Sequence, residues 1–188
     1  MTDQLLPFPG QTVGPFFGFA LPYAGDADLV PPGRPDAVRL FGRVLDGAGR
    51  PVPDALLELW QADPDGVAVR QPGSLRRDGW TFTGWGRAAT DAAGGYSFTT
   101  LRPGAPTGSA PFFALTVFAR GLLDRLLTRV YLPDDEELLA ADPLLSTLPA
   151  ERGRTLVASQ EESGLRFDVV LQGDGETVFL AYPRTPAR

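Results

Sequence analysis

The chain has 188 residues, of which 17 are Lys or Arg and 23 are Asp or Glu, and it contains neither His nor Cys. The net charge of −6 argues against a nucleic-acid-binding protein, because a phosphate backbone selects a basic surface. The two missing residue types exclude a disulfide framework, a Cys-ligated metal site and every Ser–His or Cys–His catalytic triad.

The remaining composition indicates one globular domain. With 43% hydrophobic residues the chain can form a core, and its 22 Gly and 19 Pro residues predict many turns and few long helices. The first ten residues show no basic segment followed by an apolar stretch, as a signal peptide would, and the longest apolar run, residues 111–119, is too short to cross a membrane. We therefore expect a cytoplasmic protein that binds neither membranes nor nucleic acid.

Residues 1–37 are predicted to form an N-terminal arm. They lack hydrophobic periodicity and include the segment PFPGQTVGPFFGFALPY. A free tail rarely carries so many aromatic side chains, because they lower its solubility. The arm should therefore pack on its own domain or on another subunit, and we expect a partner subunit.

From residue 38 to residue 188 the pattern predicts a single sandwich domain. Short segments with alternating or continuous apolar residues are separated by Gly-, Asp- and Pro-rich turns, as in an all-β antiparallel β-sandwich with long loops, an extended arm and one or two short helices. The continuous apolar run at 111–119 predicts a strand buried on both faces. The predicted strands span residues 38–45, 55–60, 86–90, 96–101, 111–119, 126–132, 155–159, 165–172 and 176–180.

One segment, residues 134–148, has a clear helical pattern. Its first turn is acidic, which suits the positive end of a helix dipole, and Pro143 should divide it into two short pieces. The acidic run 134–137 lacks the ligand spacing and central Gly of a calcium loop, so a helix start is the better interpretation.

Several motifs together resemble one enzyme family. These motifs are QTVGPFF, LELWQAD, FARG, TRVYL and LQGDGETVFL. The chain is similar in them to the intradiol ring-cleaving dioxygenases, and within that family to the alpha-type subunit of its two-chain members. The resemblance implies a β-sandwich fold and an enzyme complex that opens an aromatic diol with both atoms of O2. It also implies a ferric ion as cofactor and a beta-type partner subunit in a hetero-oligomer.

In catalytic chains of this family, two tyrosines and an H-x-H pair hold the iron. The resemblance places the tyrosines at Ala68 and Pro106, and the H-x-H pair at residues 112–114, which read Phe112-Phe113-Ala114. Ferric iron needs anionic oxygen and nitrogen donors, and these side chains offer none. We therefore expect no catalytic residue and no metal ligand in this chain. The iron should be bound by the beta-type subunit, and the two Phe side chains should fill the core.

The resemblance also places each active site at the contact between the two chains, with the alpha-type arm in its wall. It implies that Thr12, Gly14, Pro15 and Arg120 bind the substrate. Gly14 permits close backbone approach, Pro15 offers an apolar face to a flat ring, and Thr12 supplies a hydroxyl group. Arg120 would attract a substrate carboxylate.

Other interpretations remain open on the sequence alone. Arg125 and Arg129 lie close to Arg120 and compete for the carboxylate, and Arg120 would also serve in an interface ion pair. The Gly-Pro pair of the arm would also suit an ordinary turn. The alternative function is a non-enzymatic, transthyretin-like binding or adaptor domain. A hydrolase based on carboxylates is disfavoured, because Glu58 falls within a strand and Asp63 within a turn.

Overall fold

A computed structural model describes residue 14, residues 17–71 and residues 78–182 of the chain. Within these ranges it contains nine strands in two sheets, together with three short α-helices and a 3-10 helix at Leu145–Thr147. The strands are β1 (Ala37–Leu45), β2 (Leu56–Gln61), β3 (Trp85–Ala89), β4 (Gly95–Leu101), β5 (Phe112–Phe118), β6 (Leu126–Tyr131), β7 (Ser159–Glu161), β8 (Gly164–Arg166) and β9 (Val169–Val170). The helices are α1 (Phe17–Ala20), α2 (Glu136–Ala141) and α3 (Ala150–Arg154).

The predicted sandwich architecture is confirmed. The first sheet has the strand order β4-β1-β8-β7, with β9 also paired to β1, and the second sheet has the order β3-β2-β5-β6. Most pairings are antiparallel, but β1 runs parallel to both β8 and β9. The sheet is therefore not purely antiparallel. A parallel partner must come from a distant part of the chain, so local turn signals do not reveal it.

The core lies between the two sheets. It is built from alternate residues along the strands, which face inward. On β5, for example, Phe113 and Val117 are fully buried whereas Phe112 and Phe118 are half-buried. This alternation corrects the expectation that residues 111–119 are buried on both faces. Only one face of β5 belongs to the main core, because its other face lies outside the sandwich. Core residues from the two sheets include Leu40, Val44, Leu57, Leu59, Phe98, Phe113, Leu115, Val117, Val130, Leu165 and Val169.

The C-terminal part departs most from the predicted strands. Residues 176–180 form no strand, although the Leu180 N–H donates to the Leu127 carbonyl oxygen at 2.7 Å. Residues 150–154 form α3, which the sequence pattern did not predict. The predicted strand at 155–159 is reduced to a parallel bridge between Tyr131 and Val157 and the first residue of β7.

The helical segment follows its prediction closely. Asp135 caps the start of α2, where its carboxylate accepts a hydrogen bond from the Leu138 N–H at 2.9 Å. The helix ends before Pro143, and the 3-10 helix continues the segment. In the described part of the chain, no helix is long and apolar enough to span a membrane.

Part of the N-terminal arm packs on its own sandwich. The Leu29 N–H donates to the Thr99 carbonyl oxygen at 2.7 Å, and Arg87 donates to the carbonyl oxygen of Leu21 at 3.0 Å. Leu29 and Val30 are each only 3% exposed. The later half of the arm is thus fixed to this chain, whereas packing of its first residues on a partner stays a prediction.

Gly42 allows the β8–β9 connection to pass directly over β1. A Cβ atom at this position would overlap the carbonyl oxygen of Phe167. That oxygen accepts a 2.6 Å hydrogen bond from the buried Tyr96 hydroxyl group, and the Phe167 N–H donates to the Phe41 carbonyl oxygen at 2.8 Å. A side chain at position 42 would therefore disturb both contacts.

We expect Gly42→Ala to lower the free energy of unfolding by about 1–3 kcal/mol, because the added methyl group displaces buried backbone. Gly175→Ala is the matched control, since a Cβ atom there would meet no described atom within 4 Å. Urea unfolding followed by circular dichroism measures both variants. Equal stability of the two variants would contradict the close approach at Gly42.

Candidate functional site

The outer face of the second sheet carries the positions that the family resemblance assigns to the H-x-H pair. Phe112 and Ala114 face outward on β5 and are half-buried, whereas Phe113 between them points into the core. Across the sheet, Phe112 pairs with Tyr131 of β6 and Ala114 pairs with Arg129. The two positions and their β6 neighbours therefore form one continuous patch.

The two positions assigned to the tyrosine ligands lie in loops. Ala68 is exposed and forms an isolated bridge with Ala62, and Pro106 is half-buried with its carbonyl oxygen accepting a 3.0 Å hydrogen bond from the Ser109 N–H. Neither side chain has a lone pair to offer a metal. The described residues also contain no group of three His, Cys, Asp or Glu side chains able to hold a metal ion. This donor set does not fit a ferric ion.

The two Phe side chains were expected to fill the core, and they divide between two clusters. Phe113 is fully buried in the main core, as expected. Phe112 instead packs in a second, smaller cluster on the outer side of the sheet, around Ala110, Tyr131 and Leu156. The alternation of a strand explains the difference, because neighbouring residues face opposite sides.

Arg129 fills the space beside Phe112. Its guanidinium carbon lies 4.1 Å from the centre of the Phe112 ring, and its Nη1 donates a 3.1 Å hydrogen bond to the Tyr131 hydroxyl group. The Phe112 and Tyr131 rings are 5.8 Å apart. A protonated guanidinium over an aromatic face is a favourable cation–π arrangement.

Asp142 is a buried carboxylate, 1% exposed, that gathers five hydrogen bonds. The Tyr131 hydroxyl group donates to Oδ1 at 2.9 Å, and the Ser109 hydroxyl group donates to Oδ2 at 2.6 Å. The Ala110 N–H donates to Oδ2, and the N–H groups of residues 144 and 145 donate to Oδ1, at distances of 2.9–3.2 Å. Such a set satisfies a buried charge that would otherwise be costly.

These contacts shift two pKa values in opposite directions. Burial alone would raise the pKa of Asp142, but the hydrogen bonds from Ser109, Leu145, Ala110 and Tyr131 outweigh it and hold that pKa below its ordinary value of 3.8. Burial raises the pKa of Tyr131 to about 12, with Arg129 opposing the rise and Asp142 adding to it. At neutral pH, Asp142 is therefore a carboxylate and Tyr131 a neutral phenol.

The sequence analysis did not find this cluster. The sequence pattern at this point predicts only a helix break at Pro143, although an Asp before a new helical turn is also a typical cap. Arg129 was considered only for binding a substrate carboxylate. The pairing of residues 109, 131 and 142 depends on the fold and has no local signal.

Of the four residues predicted to bind substrate, the structure describes two. Thr12 and Pro15 lie outside the described residues. Gly14 is exposed, and a Cβ atom added there would meet no described atom within 4 Å. Its carbonyl oxygen accepts a 3.5 Å hydrogen bond from the Phe17 N–H at the start of α1.

Arg120 lies two residues after the end of β5, at the opposite end of that strand from Phe112. Its side chain is 66% exposed, and its Nε lies 3.1 Å from Oδ2 of Asp54. A guanidinium has five N–H donors, so this ion pair leaves donors available for a second acceptor. Arg125 is also exposed, whereas Arg129 is engaged with Phe112 and Tyr131.

The two carboxylates considered for hydrolysis have structural roles. Glu58 forms an ion pair with Arg87 across β2 and β3, with an N–O distance of 2.6 Å. Asp63 accepts hydrogen bonds from the N–H groups of Asp65 and Val67 and so closes a turn. Neither is free to act as a general acid or base.

Comparison with known proteins adds three findings. A family model described as "Dioxygenase" matches residues 13–173. The protocatechuate 3,4-dioxygenase alpha chain of Burkholderia cepacia is 39% identical over 190 residues, covering 92% of this chain and 95% of that one. The beta chain of the same enzyme from Burkholderia cepacia is 35% identical over 196 residues, covering 94% of this chain and 81% of that one.

A solved structure with the same fold is the dioxygenase domain of a dioxygenase and carbohydrate-binding protein fusion from Streptomyces sp. SirexAA-E. It superposes with a TM-score of 0.56 at 25% sequence identity, over 78% of this chain and 87% of that one. The two-sheet arrangement described above is thus shared with a known dioxygenase domain.

We expect Asp142→Asn to destabilise the protein by about 1–3 kcal/mol at neutral pH, because the amide turns an N–H toward groups that are themselves donors. The folded-state pKa of Asp142 lies below 3.8, so its stabilising effect is present above that pH and is lost as the pH falls through the folded pKa. The difference from the unsubstituted protein should therefore shrink below pH 3.8.

Urea unfolding at pH 7 and at pH 3 measures this difference. Asp174→Asn, at an exposed turn, is the control, and it should leave the free energy of unfolding unchanged at both pH values. A deficit in Asp142→Asn that is the same at both pH values would show that its charge plays no part.

Proposed function

The chain belongs to the intradiol dioxygenase family, and on that premise we propose that it is the iron-free alpha subunit of a protocatechuate 3,4-dioxygenase. Two observations together carry the proposal. The chain is similar to an alpha chain over nearly its whole length, and it lacks the residues that would bind iron. The chain is 39% identical to an alpha chain over 95% of that chain's length, yet it has no His anywhere. A transthyretin-like adaptor would account for the two sheets but not for this identity.

The family is one of non-haem iron enzymes, and we propose that the ferric ion is bound by the beta subunit and not by this chain. The beta subunit would carry the two tyrosines and the H-x-H pair that are missing from this chain. When bound there, iron supplies the activation of the aromatic diol toward O2. The similarity of this chain to both an alpha and a beta chain supports an assembly of alpha–beta pairs.

The complex would cleave protocatechuate, which is 3,4-dihydroxybenzoate, between its two hydroxyl-bearing carbons. Both atoms of O2 enter the product, 3-carboxy-cis,cis-muconate, so substrate and O2 together account for all atoms. This chain's own contribution is to bind and orient the substrate. Location of the complex in the cytoplasm stays a prediction from the sequence.

We assign the pocket wall to Thr12, Gly14 and Pro15 of the arm. The exposure of Gly14 supports this assignment, because a backbone with open space before it accepts the face of a partner. The absence of a side chain lets a flat ring approach the peptide plane closely. In this proposal the arm supplies one wall of the pocket, and the partner chain supplies the rest.

Arg120 is our candidate for the substrate carboxylate. It is 66% exposed and paired on one side with Asp54, whereas Arg129 is committed to Phe112 and Tyr131. At an interface that removes water, an Arg–carboxylate hydrogen bond is worth about 1.5–3 kcal/mol. It would also offset the overall negative charge of the chain for an anionic substrate.

Co-expression with a Tyr/Tyr/H-x-H partner tests the assignment of iron. We expect the purified complex to contain one iron per pair, with the visible absorption of tyrosinate-to-iron charge transfer, and to consume O2 with protocatechuate. This chain purified alone should bind no ferric ion. Tight ferric binding and catechol cleavage by the lone chain would overturn the proposal.

We expect Arg120→Ala in the complex to raise the KM for protocatechuate by about tenfold or more, because a charged hydrogen bond of about 1.5–3 kcal/mol is lost. The KM for catechol, which has no carboxylate, should change little. Arg125→Ala tests the other exposed arginine of the same β5–β6 connection. A selective rise in the KM for protocatechuate with Arg125→Ala, but not with Arg120→Ala, would assign the carboxylate to Arg125. Steady-state O2 consumption gives both constants, and equal effects on the two substrates would remove Arg120 from the pocket.

A further inference from the structure

We propose that Arg129 is an internal cation that holds together the corner of the fold where catalytic relatives would bind iron, and that it keeps this corner free of metal. The assignment of that corner rests on the proposed function. The role of Arg129 in holding the corner rests on the contacts of this chain alone.

Arg129 lies next to both ends of the segment 112–114. It is the direct cross-strand partner of Ala114, and its guanidinium lies 4.1 Å from the centre of the Phe112 ring. One side chain therefore spans the two positions that the resemblance gives to imidazole ligands. An arginine has no lone pair and remains protonated at any ordinary pH, so it brings a permanent positive charge to this patch.

The charge of Arg129 is linked to that of Asp142 through one phenol. Arg129 donates to the Tyr131 hydroxyl oxygen at 3.1 Å, and the same hydroxyl group donates to Asp142 Oδ1 at 2.9 Å. Tyr131 and Asp142 are 0% and 1% exposed. The buried carboxylate thus has a positive charge at the end of a two-bond relay, which compensates it in a region of low dielectric.

The relay joins three separate parts of the chain. Arg129 and Tyr131 belong to β6, Ser109 and Ala110 belong to the loop before β5, and Asp142 closes α2 and caps the 3-10 helix. No other hydrogen bond or ion pair that the structure describes for Arg129 leads away from this corner. Metal ligation would fix such segments in one step. Here five hydrogen bonds to the Asp142 carboxylate fix them instead, and Arg129 compensates the charge of that carboxylate through Tyr131.

The same arrangement opposes metal binding. A guanidinium beside the patch repels an incoming cation. The Tyr131 phenol is no substitute ligand, because its hydroxyl group donates its hydrogen to Asp142 and its oxygen accepts a hydrogen bond from Arg129. Restoring ligands at the four assigned positions would therefore leave a positive charge in the way.

The holding role is tested on the full chain with three variants. Arg129→Met keeps the length of the side chain and removes its charge and donors, and we expect its melting temperature to fall by about 4–8 °C. Arg129→Lys restores the charge and should recover at least half of that loss. Arg125→Met is the exposed control and should melt with the unsubstituted protein. An unchanged melting temperature in Arg129→Met, or an equal fall in the Met and Lys variants, would show that the charge of Arg129 does not stabilise this corner.

The exclusion of metal is tested with two ligand-restored chains. The first carries Ala68→Tyr, Pro106→Tyr, Phe112→His and Ala114→His, and the second adds Arg129→Gln. Equilibrium dialysis against ferric citrate, together with visible absorption, measures the binding of iron. We expect the second chain, once circular dichroism shows it folded, to bind ferric ion at least tenfold more tightly. Equal affinity, including no binding by either folded chain, would overturn the exclusion.

Neither measurement requires the beta subunit or enzymatic activity. Failure of the proposed function would appear as a complex without iron or without O2 consumption, whereas failure of this inference would appear in melting and ferric binding of the single chain. The two results are therefore distinguishable.

Discussion

The period of two in β5 is the constraint on which the rest of the structure depends. Because Phe113, Leu115 and Val117 fill the space between the sheets, the residues between them must face the outer side of the second sheet. Chemistry can be placed only on that outer side without opening the main core. In this chain the first two of these outer positions carry Phe112 and Ala114, whose side chains have no atom that could bind a metal. The same strand thus supports the sandwich on one face, and on the other it carries two side chains without metal-binding atoms at the positions that the resemblance gives to the H-x-H pair.

Losing metal ligands from such a face creates a packing problem as well as a chemical one. A ligand set fixes loops through short, strong bonds, and its removal leaves polar backbone and side chains that need new partners. In this chain the buried carboxylate of Asp142 takes five donors, and an aromatic and cationic pair fills the adjoining surface. The cost of burying that charge is met by hydrogen bonds from three segments. The proposed exclusion of metal and the stability of this corner therefore depend on the same cluster.

Local patterns in the sequence were sufficient for the sandwich architecture. Turn residues and alternation predict most strands of both sheets, and the absence of His alone removes the H-x-H pair. The parallel pairing of β1 with β8 and β9 was beyond such reasoning, because it joins segments far apart in the chain. The Asp142 cluster was missed for the same reason. Residues 109, 131 and 142 each look ordinary in sequence, and only tertiary contacts give them a shared role.

The positions of Arg120 and Phe112 at opposite ends of β5 have a consequence for the division of labour between subunits. The end at Phe112 is filled by side chains of this chain. At the other end, Arg120 is exposed, and its charge is partly compensated by an ion pair with Asp54. A cation that is only partly paired keeps donors for an acceptor that another molecule brings. The end of β5 at Phe112 therefore contributes to the stability of this chain. In the proposed complex, the end at Arg120 is the one suited to the partner's site. In the proposed complex this chain can thus be specialised for shape and charge, because the corner at Phe112 carries no metal ligand that would have to stay accessible.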